Sequence, residues 1–272
     1  MLKFILFFGL IFSSWTSHAK DNSAFDRIIK TNTLRCGYAL ASPWFMFDPL
    51  TGAKSGYSHD VSVAVAEKIG LDIEWVEETG WGIAEQGIIT GRYDLLCGSV
   101  CVDPNRARVT TFSRPFKHVP ILATVRINET RYKEDLSNLN DPNVKIGVKN
   151  GHVFEYIANE RFPKATKVYA NDLSDDTEFL LMLENKKIDI AFTGQSTIDV
   201  YEKTNADKIR ALETPARFCN GGFLMPLGDY RLKFMLDNAI EELNSSGVLE
   251  SLAEKYQLNN PRYLRLPTQQ YR

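Results

Sequence analysis

The chain has 272 residues, 44% hydrophobic and 24% charged, with 32 Lys and Arg against 34 Asp and Glu and a formal net charge of −2. That balance is ordinary for a globular protein and lacks the concentrated basic face of a duplex binder, which excludes nucleic acid as a partner. Four cysteines are too few to frame the fold, so packed side chains must build the core.

Met1, Leu2 and Lys3 supply one positive charge, Phe4 to Trp15 is apolar, and Ser17-His18-Ala19 sets small residues three before and one before a cut after Ala19. This is the layout of a secretory signal peptide, residues 1–19. A bilayer span takes about 20 apolar residues, more than this run offers. Lys20 would open the mature chain, so no cysteine stands there to carry a lipid, and a free periplasmic protein is expected. Loss of Lys3 leaves 31 basic against 34 acidic residues, a net charge of −3.

An amphipathic opening (Phe25, Ile28, Ile29) leads into alternating strand and helix patterns. Leu34 to Tyr38 reads as a strand, Ser58 to Ile69 as a helix with Val61, Ala64, Val65 and Ile69 on one face, and Leu71, Ile73 and Trp75 alternate with acids as in a strand. Ile83 to Thr90 reads as a helix and Tyr93 to Val100 as an apolar strand, giving β-α-β-α-β and a parallel sheet. The order returns with strand Lys145 to Val148, helix His152 to Phe162, strand Lys167 to Ala170, helix Thr177 to Leu183 and strand Ile188 to Phe192. Two α/β lobes follow. Val119 to Val125 reads as the crossing between them and Phe218 to Met225 as a second such run, before helices Tyr230 to Leu243 and Val248 to Tyr256. If those helices return, residues 20–117 and 218–258 form a discontinuous lobe 1 and residues 118–217 lobe 2, with 259–272 an extended tail. A cleft between lobes is a favoured ligand site.

The words "LRCGYALASPWFMF" (Leu34 to Phe47), "GYSHDVSVAVAEKIG" (Gly56 to Gly70), "GRYDLLCGSV" (Gly91 to Val100), "DPNRARVTTFSRPF" (Asp103 to Phe116), "VKIGVKNG" (Val144 to Gly151) and "SSGVLESLAEKY" (Ser245 to Tyr256) carry a resemblance in their order and spacing. The chain resembles family 3 of the extracytoplasmic solute-binding proteins, the polar amino-acid-binding components of ABC importers. The resemblance implies the two-lobed α/β periplasmic binding protein fold of the second type with a two-strand hinge. It also implies a monomer that needs no cofactor, with a small carboxylate-bearing solute and an ABC permease as partners.

On spacing alone Arg106 reads as a solvated surface arginine, although Asp103 suits an N-cap and Pro104 a first helical position. The resemblance makes Arg106 the carboxylate ligand, gripping two oxygens beside a helix start, and leaves Arg108 and Arg114 on the surface. It also places Gly98, Ser99 and Cys101 on the wall facing Arg106, with Cys101 a soft contact where relatives carry a hydroxyl, and Trp81, Ser42, Trp44 and Phe45 around the ligand. In the second lobe His152 and Val153 stand where relatives offer a small hydroxyl residue, and Gly194 replaces the aspartate that meets a ligand ammonium. That departure brings in a carboxylate without an α-amine as a ligand, unless an acid such as Glu78 enters from another direction.

Cys97 and Cys101 form no zinc set, since no second Cys/His pair follows. Four residues apart in a strand, they stand about 13 Å from each other, out of disulfide reach. In the family's sheet Cys36 neighbours Cys97, and Cys219 lies on a strand returning to the same lobe, which implies one bridge among these with its pairing open. Two other functions share the fold. A cyclic-carboxylate dehydratase would use Glu78 or Asp103 as its acid, and a sensor domain would continue into a membrane segment.

Overall fold

The computed structural model describes residues 23–268. The expected leader and its cut after Ala19 lie outside them, as do residues 269–272 of the tail.

Helix α1 (Ala24–Thr31) starts at Ser23, whose Oγ accepts from the Asp26 amide, and leads into β1 (Thr33–Tyr38). A short hairpin of β2 (Met46–Phe47) and β3 (Lys54–Ser55) follows, too brief to leave a periodic signal. Helix α2 (Tyr57–Lys68) buries Val61 and Val65, as the apolar spacing requires, and β4 (Asp72–Glu78) then pairs parallel to β1. After α3 (Ala84–Ile89), β5 (Leu95–Cys101) takes the other side of β1, also parallel. A short strand, β6 (Thr110–Phe112), precedes the long β7 (Lys117–Arg126).

The second unit repeats the pattern with β8 (Lys145–Val148), α4 (Val153–Arg161), β9 (Thr166–Tyr169), α5 (Thr177–Glu184) and β10 (Ile190–Thr193), where β8 runs parallel to both β9 and β10. Helix α6 (Gln195–Glu202) has no counterpart in the sequence reading, because its buried face includes Ser196 and Thr197 and hydrophobic periodicity is weak there. The 18-residue β11 (Ile209–Pro226) and helices α7 (Tyr230–Ser245) and α8 (Val248–Lys255) complete the fold.

β7 and β11 pair antiparallel from Lys117–Gly221 to Arg126–Ile209. At one end β11 joins β5 and β6, and at the other β7 joins β10. The parallel sets β4-β1-β5 and β10-β8-β9 therefore flank a shared central pair, which makes a two-lobed α/β protein joined by two strands. Helices α7 and α8 pack on α2, and Lys255 and Tyr256 both bond Asp60 Oδ2 at 2.7 Å, so the chain returns to the first lobe.

Two disulfides hold the first lobe, correcting the expectation of one. Cys36 on β1 joins Cys97 on β5, and Cys101 on β5 joins Cys219 on β11. Residues 259–268 pack against the rest of the fold. His118 and Arg265 exchange both backbone hydrogen bonds at 2.8 Å, Leu264 is buried, and the Tyr263 hydroxyl donates to Asp199 on α6.

Candidate functional site

Asp103 Oδ1 accepts from the amides of Asn105 (2.8 Å) and Arg106 (3.4 Å), so the aspartate caps a turn as its sequence position suggests. The turn is one 3₁₀ turn, Arg106–Arg108, and not the start of an α-helix, which removes the helix field expected beside Arg106. Arg106 is itself buried. Its Nη2 donates to the carbonyls of Trp81 (2.8 Å) and Gly151, and its Nη1 lies 2.7 Å from Glu85 Oε1. Nη1 is therefore ion-paired with Glu85, although among the described residues no acceptor meets hydrogen-bond geometry with it. Arg108 and Arg114 are exposed.

The first lobe's wall is made where β5 loses regular geometry. Gly98 has φ +146° and Ser99 φ +82°, a left-handed conformation that a serine adopts only under tertiary constraint. Ser58, in the first turn of α2, donates to Ser99 Oγ at 3.3 Å. Lys117, the first residue of β7, is 3% exposed; its Nζ donates to Ser58 Oγ at 3.1 Å and sits 3.7 Å from the Trp44 ring centre. Its stem runs over Gly221, where any Cβ would stand 2.8 Å from Lys117 Cε. Burial pushes the Lys117 pKa well below its ordinary value, against the raising field of Asp176.

The opposite wall comes from the starts of α4, α5 and α6. His152 caps α4, its Nδ1 accepting from the Phe154 amide at 3.4 Å, and its ring meets Trp81 with centres 5.2 Å apart. It is buried, and its Nδ1 serves as an acceptor. Burial pushes its pKa down to about 4, the charges of Lys149 and Arg106 adding to this and Asp176 opposing it. Asp176 is an acid that lines the cleft from the second lobe, reached from the start of α5 instead of from position 194; its Oδ1 accepts from Lys149 Nζ at 3.1 Å. Gly194 precedes α6, and Thr193 before it has a buried hydroxyl with no partner.

These residues line one cleft in two adjoining spaces. The larger, about 580 Å³, lies among Trp44, Lys117, Asp176, Thr193, Gly194 and Thr197, and the smaller, about 340 Å³, reaches Arg106 and Tyr156. Trp81, Ser99, Cys101, His152 and Val153 border both, while Gly98 borders the larger. Cys101 is therefore present as a half-cystine and offers no thiol contact. Ser42 is not in the lining: its amide donates to Asp175 Oδ2 (2.8 Å) and its carbonyl accepts from Thr197 Oγ1 (3.0 Å), bridging the lobes. Phe45 stacks on Tyr38 in the core, and Glu78 is exposed at the end of β4, outside the cleft.

The lobes also touch where Gly151, with φ +65°, meets Gly82; a Cβ there would stand 2.7 Å from Gly82 Cα. Ser58, Lys117, Asp176 and Thr193 escape the sequence reading. The signal for Lys117 is a lone charge opening the apolar run "KHVPILATV".

Residues 34–259 match the sequence profile of the bacterial extracellular solute-binding proteins, family 3. A probable histidine-binding protein of Campylobacter jejuni is 23% identical over 258 residues, 93% of this chain and 96% of that one. A probable amino-acid ABC transporter-binding protein of Haemophilus influenzae is 32% identical over 110 residues, 40% of this chain and 42% of that one, so this match spans less than half of either protein. Among solved structures, an ancestral amino acid-binding protein described as a precursor of cyclohexadienyl dehydratase superposes with a TM-score of 0.75 at 24% identity, covering 86% of this chain and 99% of that one.

Proposed function

The chain belongs to family 3 of the bacterial extracellular solute-binding proteins, and from that premise we propose that it is the periplasmic capture component of an ABC importer, closing on a small carboxylate-bearing solute, an amino acid or a related organic acid. The observation that carries this reading is a cleft lined from both lobes and shut by bonds that cross it, among them Arg106 to the Gly151 carbonyl. Arg106 and Ser99, which both line the cleft, hold the carboxylate from lobe 1. Trp44 and Trp81 cover its body, and His152, Val153 and Gly194 close over it from lobe 2. We place lobe 1 at residues 20–117 with 218–258 and lobe 2 at 118–217, the leader being removed after Ala19. The closed monomer then docks on a membrane permease.

Binding is favoured over turnover by the state of the acids. Asp103 Oδ1 caps a turn and Asp176 Oδ1 accepts from Lys149, so each carboxylate is engaged with the protein itself. A thermal-shift screen of amino acids and des-amino carboxylates tests the reading. A carboxylate is expected to raise the melting temperature of the wild type and not of Arg106→Ala. Equal stabilisation of the variant would overturn the placement of Arg106, and turnover of a cyclic carboxylate would overturn the binding role.

A further inference from the structure

We propose that the cleft selects a net-anionic solute, and that Lys117 holds one of its anionic groups. This rests on the solute-capture reading above and names the class of solute captured.

The Lys117 amine has one established acceptor, Ser58 Oγ at 3.1 Å, and when protonated it carries three donors. Among the described residues no carboxylate lies within ion-pair distance of its Nζ, although the side chain is almost wholly buried. The Trp44 face at 3.7 Å offsets only part of the cost of desolvating an ammonium, which a buried site normally meets with a counter-charge. The other charges lining or bordering the cleft have partners: Arg106 with Glu85 at 2.7 Å, Lys149 with Asp176 at 3.1 Å and Asp103 with Arg217 at 3.8 Å, while His152 is neutral above about pH 4. Lys117 is the basic group left without a counter-charge, and an anion beside it would favour its protonated form.

The surroundings fit an anion. Ser58 and Ser99 hydroxyls lie beside the ammonium, and across the space Thr193 Oγ1, on a side chain 1% exposed, has no partner. Gly221 keeps the path of the lysine stem clear, so the ammonium reaches the cleft wall and not solvent. A cationic solute would set a second positive charge beside Lys117, and a neutral zwitterion would leave the excess charge unbalanced. An acidic amino acid, or an amine-free acid lying on Lys117, supplies the one negative charge required.

Titration calorimetry on the ligand-stripped mature protein, with glutamate, aspartate, succinate and 3-phenylpropanoate against arginine, lysine and histidine, tests this. At least one of the four acids is expected to bind and the three basic amino acids to be refused; glutamate and aspartate against the amine-free pair identify the source of the charge. Lys117→Met is expected to weaken the acid about 100-fold or more, while the unliganded melting temperature holds or rises because a buried charge is gone. Lys117→Gln serves if the methionine variant does not fold. Binding of the same acid within about threefold in either folded variant, or a wild type that prefers basic amino acids, overturns the proposal and leaves solute capture standing. No binding of any carboxylate in the wider screen overturns both.

Discussion

The backbone amide of Ser42 donates to Asp175 Oδ2 at 2.8 Å, tying the loop after β1 in one lobe to the start of α5 in the other. Thr197 Oγ1 returns a bond to the Ser42 carbonyl at 3.0 Å. Both join the two lobes, so in the closure proposed above they would favour the closed form without supporting either lobe's fold. Thr197→Val removes one, and Asp175→Ser removes the other while leaving a cap for the Thr177 amide, now 2.9 Å from Asp175 Oδ1. At about 1 kcal/mol per bond, ligand affinity is expected to fall about fivefold for each. Small-angle scattering should show a larger unliganded radius of gyration. Unchanged affinity and radius in the double variant would show that the bonds do not govern closure.

His152 gives stability a dependence on pH. Its imidazole titrates near 6.5 when unfolded and at about 4 in the folded protein, where burial disfavours the charged form. Between those values the unfolded chain binds a proton that the native state refuses, so stability rises with pH across the window and falls on acidification through it. The whole difference is on the order of 3 kcal/mol. Protonation also ends the bond that Nδ1 accepts from Phe154. His152→Asn keeps an acceptor at the cap and removes the titration. Melting temperatures followed from pH 6.5 down to about 4 should lose this part of their slope in the variant; an unaltered slope would assign it to other groups.

The two disulfides should separate stability from binding. Cys36–Cys97 and Cys101–Cys219 span 61 and 118 positions, which in the chain-entropy picture correspond to about 4 and 5 kcal/mol. Replacing either pair by alanine is expected to lower the urea midpoint. Cys36 and Cys97 are core residues, whereas Cys101 and Cys219 border the cleft, so ligand affinity should fall only in the second variant. An equal loss of affinity in both would place the effect in the lobe as a whole.

Elements whose pattern is local were legible in the sequence. Strand Lys145–Val148 and helices α2 and α7 follow from apolar spacing, and the two crossing runs from their β-rich composition. Helix α6 was not legible because serine and threonine fill its inner face. In the cleft, Arg106, Ser99, Trp44, Trp81, Val153 and Gly194 all reach the lining, whereas Ser42 bridges the lobes and Phe45 joins the core. Lys117 escaped notice because its burial depends on Gly221, more than a hundred positions later in the chain. Asp176 escaped for a related reason: in "SDDT" either aspartate suits a helix start, and only the folded chain sets Asp175 on Ser42 and Asp176 on Lys149.

The segment that closes the chain alters what the hinge can do. Two paired strands allow a joint to bend and also to twist. The backbone pair of His118 with Arg265 and the bond from Tyr263 to Asp199 add a third tether, offset from the other two and running from the first lobe's last helix to the second lobe. In the closure proposed above, such a tether would oppose torsion more than bending, so that the lobes would swing on a fixed axis and bring Gly151 back to Gly82 and Ser42 back to Thr197.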